Sequence, residues 1–157
     1  MDSLHIDTGE KRIQIDDDPG RMIVFNPSDV LWVDRFRGMK RDVLAKLDEF
    51  SKKSGELQVI IRFEAKKKAP DQNLIDETEN RGSALYREAC IYMRGLIDNI
   101  FGKDASQTAF GDLMSGTAIV SFLEGITPYI EIVRAAKVAA YVPHPQAKKR
   151  KSKAVMK

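Results

Sequence analysis

Apolar positions along the chain follow two different periods. Over residues 4–16, Leu4 and Ile6, then Ile13 and Ile15, alternate with polar residues, the spacing of half-buried strands. Thr8-Gly9-Glu10 lies between the two pairs and supplies a turn, and Asp16-Asp17-Asp18-Pro19-Gly20 ends the second strand, so an N-terminal β-hairpin is predicted. From Trp32 the period lengthens. Trp32, Phe36, Met39, Val43, Leu47 and Phe50 recur every three or four residues and form one helical stripe. Lys40, Arg41, Lys46, Asp48 and Glu49 lie mostly off it. Asn26-Pro27-Ser28-Asp29 opens this helix: Ser28 or Asn26 can cap, and Asp29 suits the positive end of the dipole. Trp32 reads as a core or inter-element anchor rather than a ligand platform.

Residues 55–65 fit both periods. Leu57, Val59, Ile61 and Phe63 alternate, whereas Phe50, Ser54, Leu57 and Ile61 continue the helical stripe. The helical spacing predicts a helix that continues or restarts after Gly55, against the β propensity of Val59-Ile60-Ile61. Lys66-Lys67-Lys68-Ala69-Pro70 is a charged break. A second long helix is predicted over 71–100, with Leu74, Thr78, Leu85, Ala89, Met93, Leu96 and Ile100 near one face. Pro70 suits its first turn and Gly102 its end. Gly82 and Gly95 weaken it and suggest close approach of another element. A third helix follows, capped by Asp112 or Ser115, with Ile119, Phe122, Leu123, Ile126, Ile130, Val133 and Lys137 along its face. Pro128 predicts a kink near Gly125–Pro128, or a break there with Thr127 capping a new segment. The fold class is therefore mainly α: an N-terminal hairpin over 1–25, a bundle of three or four helices over 26–142, and a disordered basic tail over 143–157.

Charge divides the chain in the same way. The net charge is +3, but Lys148, Lys149, Arg150, Lys151, Lys153 and Lys157 lie in the last ten residues; without them 20 basic residues face 23 acidic ones. The folded part is mildly acidic, unlike a domain that grips nucleic acid with its body. The run Lys148-Lys149-Arg150-Lys151 reads as a solubilising tail or as a polyanion contact, and it has no aromatic residues to stack on bases. No stretch reaches the apolar length of a membrane span, and the N-terminus lacks the pattern of a signal peptide. The one cysteine, Cys90, sits among Ala89, Ile91 and Met93 and reads as a buried, inert thiol with no His or basic neighbour to lower its pKa.

Catalytic patterns are absent from the sequence. The glycines form no phosphate-binding loop, and Cys90, His5 and His144 make no zinc spacing. The three aspartates at 16–18 invite a calcium reading, but an EF-hand loop needs an oxygen ligand at its fifth position, where Gly20 stands. Asp76/Glu79 and Glu124/Glu131 read as solvated helix faces. No set of converging groups suggests an enzyme, a cofactor or a metal.

One segment stands apart: Phe101-Gly102-Lys103-Asp104-Ala105-Ser106-Gln107-Thr108-Ala109-Phe110-Gly111-Asp112, with two Phe-Gly pairs nine residues apart between two long helices. Together with Phe25-Asn26-Pro27-Ser28-Asp29 and Phe122-Leu123-Glu124-Gly125-Ile126-Thr127-Pro128-Tyr129-Ile130, it resembles the tail assembly chaperones of long-tailed bacteriophages of Gram-positive hosts. Those proteins share an "FG…S…FGD…FL…P" pattern, and the likeness covers most of residues 4–140. The resemblance implies a helical protein of the host cytoplasm, absent from the mature virion and without catalytic activity. Its partner would be the tape-measure protein, which it keeps soluble until tail-tube subunits polymerise around it. The tail-tube protein and further copies of the chain would be additional contacts; no membrane or nucleic-acid role is implied. Such genes are often read through a programmed frameshift, and the Lys-rich C-terminus is compatible with A-rich slippery codons.

The resemblance assigns no residue-level site. Phe122, Ile126, Tyr129, Ile130 and Val133 crowd one side of the last helix and are the candidate client-binding face; the alternative is that they are core. Phe101, Gly102, Phe110, Gly111 and Asp112 read as a structural corner. Two other functions stay open: a small nucleic-acid-associated protein acting through the basic tail, and a virion tail or connector subunit.

Overall fold

The computed structural model describes residues 1–141; the basic tail predicted over 143–157 lies outside them. The chain is mainly helical, with a two-stranded antiparallel hairpin preceding the helices. The strands are β1 (Lys11–Ile15) and β2 (Asp18–Phe25), and the helices are α1 (Val30–Ala65), α2 (Gln72–Phe101), α3 (Ala105–Phe110) and α4 (Gly116–Tyr141).

The hairpin forms one strand later than the alternation predicts. Leu4 and Ile6 are exposed and belong to no strand; Ile13 and Ile15 lie on the first strand, and Ile23 and Phe25 on the second. The reason lies at Asp16-Asp17. Both residues take positive φ, 51° and 58°, the backbone that a two-residue hairpin turn needs and that Asp tolerates better than most side chains. The aspartates read as a strand terminator are thus the turn itself. Thr8-Gly9 is a local turn, Gly9 donating to Asp7 Oδ1 at 2.9 Å, and the Thr8 carbonyl accepts from Asn26 Nδ2 and Ser28 Oγ, which ties the N-terminal segment to the start of α1. Between Gln14 and Ile15 the strand register shifts, leaving Pro19, Gly20 and Arg21 as a bulge on β2.

Asp29, rather than Ser28 or Asn26, caps α1: its Oδ1 accepts from the Leu31 and Trp32 amides at 3.0 and 3.4 Å. Asn26 is engaged elsewhere, holding Ser28. α1 then runs unbroken through residues 55–65, so helical spacing prevails over β propensity there. At 36 residues it is about 54 Å long at 1.5 Å per residue. α2 packs antiparallel along it, with pairings at Trp32/Ile100, Phe50/Tyr86 and Leu57/Gly82. The joint is closed by Glu64, whose side chain is buried while its carboxylate accepts from the Asp71 amide at 3.0 Å and pairs with Lys67 Nζ at 2.7 Å. Asp71 caps α2 through the Leu74 amide.

The core lies between the lower halves of α1 and α2, the hairpin and α4. It gathers Ile23 and Phe25, Val33, Phe36, Met39 and Val43, Ala89, Cys90, Met93 and Ile97, and Ile119, Leu123, Ile126 and Ile130. On α2 the buried set runs through Ile75, Cys90, Arg94 and Ile97 as well as Thr78, Ala89 and Met93, whereas Leu74 is exposed and Leu85, Leu96 and Ile100 are half-buried. The face is wider than one stripe because α1 and α4 approach from different sides. Beyond Phe50 and Tyr86, α1 and α2 continue as a two-helix arm, with Leu57, Ile75 and Thr78 buried between them. Neither Gly82 nor Gly95 marks a tight approach; that occurs at Gly116, where an added Cβ would lie 3.0 Å from Leu47 Cδ2. α4 passes through Pro128 as one helix, so of the predicted kink or break the break does not occur. Glu124, Gly125 and Pro128 are all exposed, so the carbonyl that loses its partner is on the solvent side. Cys90 is fully buried, and burial pushes its thiol up; the Tyr86 hydroxyl and Arg94, one helical turn on, act in the opposite direction.

Candidate functional site

The two Phe-Gly pairs are two helix ends. Gly102 stops α2 with φ at 109°, and its amide donates to Asp98 O at 2.9 Å; Gly111 stops α3 with φ at 59°, and its amide donates to Gln107 O at 2.8 Å. Positive φ is inexpensive for glycine, so each pair lets the chain reverse while the preceding phenylalanine stays on the packed side. Phe101 makes edge-on contacts with Phe25, Trp32, Phe36 and Phe122, at 5.9, 5.4, 6.0 and 5.1 Å between ring centres. Phe110 meets Phe122 edge-on at 5.6 Å.

The six-residue α3 between these ends, which periodicity did not predict, is too short to be stable by itself. It is held at both termini by side chains from elsewhere. At its start, Asp98 of α2 accepts from the Ser106 amide at 2.7 Å and from the Ser106 hydroxyl at 3.1 Å. At its end, Arg21, brought forward by the β2 bulge, donates to the Thr108 and Ala109 carbonyls at 3.0 and 2.6 Å. Arg94 of α2 is buried and donates to the carbonyls of Gly111 and Leu113 at 2.7 and 3.1 Å and to Gln107 Oε1 at 3.1 Å. A carboxylate at the helix start and guanidinium groups at its end both oppose the helix dipole favourably. Gln107 in turn donates to Asp112 at 3.2 Å. All five corner residues thus lie at this junction, and Arg21, Arg94 and Asp98 are the participants that the sequence reading missed.

The corner forms one wall of a cleft. Ile13 and Ile15 of β1, Phe110, and Phe122, Ile126 and Tyr129 of α4 line a recess of about 580 Å³. Arg21 and Asp16, paired at 3.3 Å, stand at its polar edge. Of the candidate client-binding residues, Tyr129 is 40% exposed and packs edge-on to Phe25 at 6.1 Å, leaving a ring partly available with a hydroxyl at its tip. Phe122 is half-buried on the cleft wall. Ile126 and Ile130 are core residues at 1% and 3% exposure, because they join the cluster that α4 shares with α1 and α2; their contribution is to fix the helix under the cleft. The side chain of Val133, and Lys148, Lys149, Arg150 and Lys151, lie outside the described residues. Chemically, the cleft offers aromatic and aliphatic walls to an apolar side chain.

Among the described residues no group of three or more His, Cys, Asp and Glu side chains converges as a metal site would require, and no helix is long and apolar enough to cross a membrane. No protein-family model, curated protein or solved structure matches the chain.

Proposed function

We propose that this chain is a tail assembly chaperone of a long-tailed phage, binding the tape-measure protein and keeping it soluble while the tail tube assembles. The observation that carries this reading is the cleft, in which Phe110 of the Phe-Gly-Asp segment and Phe122, Ile126 and Tyr129 of the last helix meet. Those two segments are also where the resemblance is sharpest. A tape-measure chain is long and helical and bears exposed apolar stripes, which aggregate when uncovered. A cleft with an aromatic wall can take such a stripe side-on, and many copies along one client gain from multivalency. On this reading the protein works in the host cytoplasm by protein–protein contact and is absent from the finished particle.

The test is co-expression with the tape-measure protein encoded in the same genome. The expected result is soluble client that co-elutes with this chain at moderate salt, and loss of co-elution on Tyr129→Ala with circular dichroism showing the variant folded. Insoluble client and no association would leave the resemblance as one of sequence pattern alone, and detection of the chain in purified virions would favour a structural subunit. Phe110→Ala is the stability control: it should lower unfolding free energy by about 3 kcal/mol, as truncation of a packed aromatic does. Undiminished stability with lost binding would make Phe110 a contact rather than a corner.

A further inference from the structure

A second apolar channel lies on the other flank of α4. Leu47 and Phe50 of α1, Tyr86 of α2 and Val120 of α4 line a recess of about 610 Å³. Next to it, Phe50, Leu57, Ile61 and Tyr86 line another of about 400 Å³, which belongs to the α1–α2 arm alone. The two share Phe50, Ser54 and Tyr86 and form one trough. From Leu47 to Ile61 it follows about 21 Å of α1, or four helical turns. Its lower end is stopped by the first turn of α4, where the Gly116 amide donates to the Tyr86 hydroxyl at 2.7 Å. The groove between α1 and α2 that seats α4 in the body therefore continues up the arm, where among the described residues no third helix fills it.

We infer that this trough docks a helix of a partner protein, about four turns long, with an aliphatic stripe flanked by Lys or Arg. The helical form follows from continuity with the seat of α4, which shows what the groove between α1 and α2 accommodates. The charge follows from the walls: among the described residues Glu79 and Glu124 are the charged ones lining the trough, and no basic side chain joins them. A second copy presenting the same trough would set carboxylates against carboxylates, which disfavours self-pairing here. The inference stands on the groove and its charge and does not depend on the client proposed above.

The probe is a fluorescein-labelled 14-residue helical peptide with a Leu stripe and Lys flanks, compared by anisotropy with a Glu-flanked sister. The Lys-flanked peptide is expected to bind saturably and the Glu-flanked one at least tenfold more weakly. Glu79→Lys, at an exposed position, leaves one carboxylate and one ammonium on the walls and should remove most of that preference. Ser54→Leu, which fills the trough, should weaken binding at least tenfold, with circular dichroism showing both variants folded. No saturable binding, or binding indifferent to both variants, overturns the inference. So does a dimer in sedimentation velocity that Ser54→Leu dissolves, because a second copy would then be the occupant. Peptide failure alongside intact tape-measure co-elution removes the trough and leaves the chaperone reading; the reverse result leaves the trough without that client.

Discussion

Arg94 shows how one side chain can hold a loop that has no regular structure. It is a buried cation that donates to two backbone carbonyls and a glutamine within residues 107–113, with a longer contact to Met114 Sδ at 4.0 Å. Removing it takes the donor from acceptors on half-buried Gly111 and exposed Gln107 and Leu113, where water replaces part of what is lost, so Arg94→Met should cost about 1–3 kcal/mol in urea unfolding. Arg94→Lys should recover only part, because an ammonium cannot span the same acceptors as a planar fork. An unchanged midpoint would show that the carbonyls find other partners. The glycines separate by the space around them. Gly95 is exposed with no atom within 4 Å of an added Cβ, so Gly95→Ala should stabilise by up to about 1 kcal/mol. Gly116→Ala should lack that gain, because its Cβ would meet Leu47 at 3.0 Å and the Tyr86 hydroxyl at 3.4 Å, and those side chains must give way. The contrast is measurable by thermal unfolding of the two variants side by side. The cost of Gly95 was legible in the sequence; the roles of Arg94 and Gly116 were not. An arginine on a helix reads as solvated, and the acceptors of Arg94 come within reach only after the chain reverses at Gly102 and Gly111.

Elements were legible where a period persisted. The stripe from Trp32 to Phe50 places the packed side of α1, and Ile119, Leu123, Ile126 and Ile130 do the same for α4. The hairpin was foreseen but misplaced, because alternation also fits Leu4 and Ile6, and only the turn chemistry of Asp16-Asp17 decides which strands pair. α3 was missed because six residues hold fewer than two turns, and its stability comes from Asp98, Arg21 and Arg94. The joint of the α1–α2 arm is held in a comparable way and carries a pH dependence. The Lys67 ammonium and then the Asp71 amide, both donating to Glu64, hold its carboxyl below the usual carboxylate range. The charged form is thus favoured by folding. Its contribution is complete above the ordinary glutamate pKa of about 4.3 and is lost as pH falls through the lowered value. Glu64→Gln should therefore melt below the unsubstituted protein at pH 6, with the gap closing towards pH 3. A gap that persists in acid would mean that packing of Glu64, not its charge, holds the joint.

At the scale of the whole molecule, the concentrated positive charge and the apolar recesses fall on different parts of the chain. The chain without its last ten residues carries three more acidic than basic groups, and the cleft and the trough are walled by aromatic and aliphatic side chains. The concentrated positive charge lies at Lys148, Lys149, Arg150 and Lys151. Binding through the cleft and binding through the tail must therefore respond to salt in opposite fashion. Four cations released from four phosphates give a slope of about −3 in log K against log salt, so polyanion affinity should fall by about two orders of magnitude between 50 and 300 mM. Apolar docking in the cleft should change little over that range, since burial of apolar surface gains slightly from added salt rather than losing to it. Replacing Lys148, Lys149, Arg150 and Lys151 with glutamine leaves only the cations Lys153 and Lys157 in the tail; it should sharply weaken heparin or single-stranded DNA binding and leave tape-measure co-elution intact. Loss of co-elution in that variant, with a salt slope near −3 for the client itself, would move client binding from the cleft to the tail.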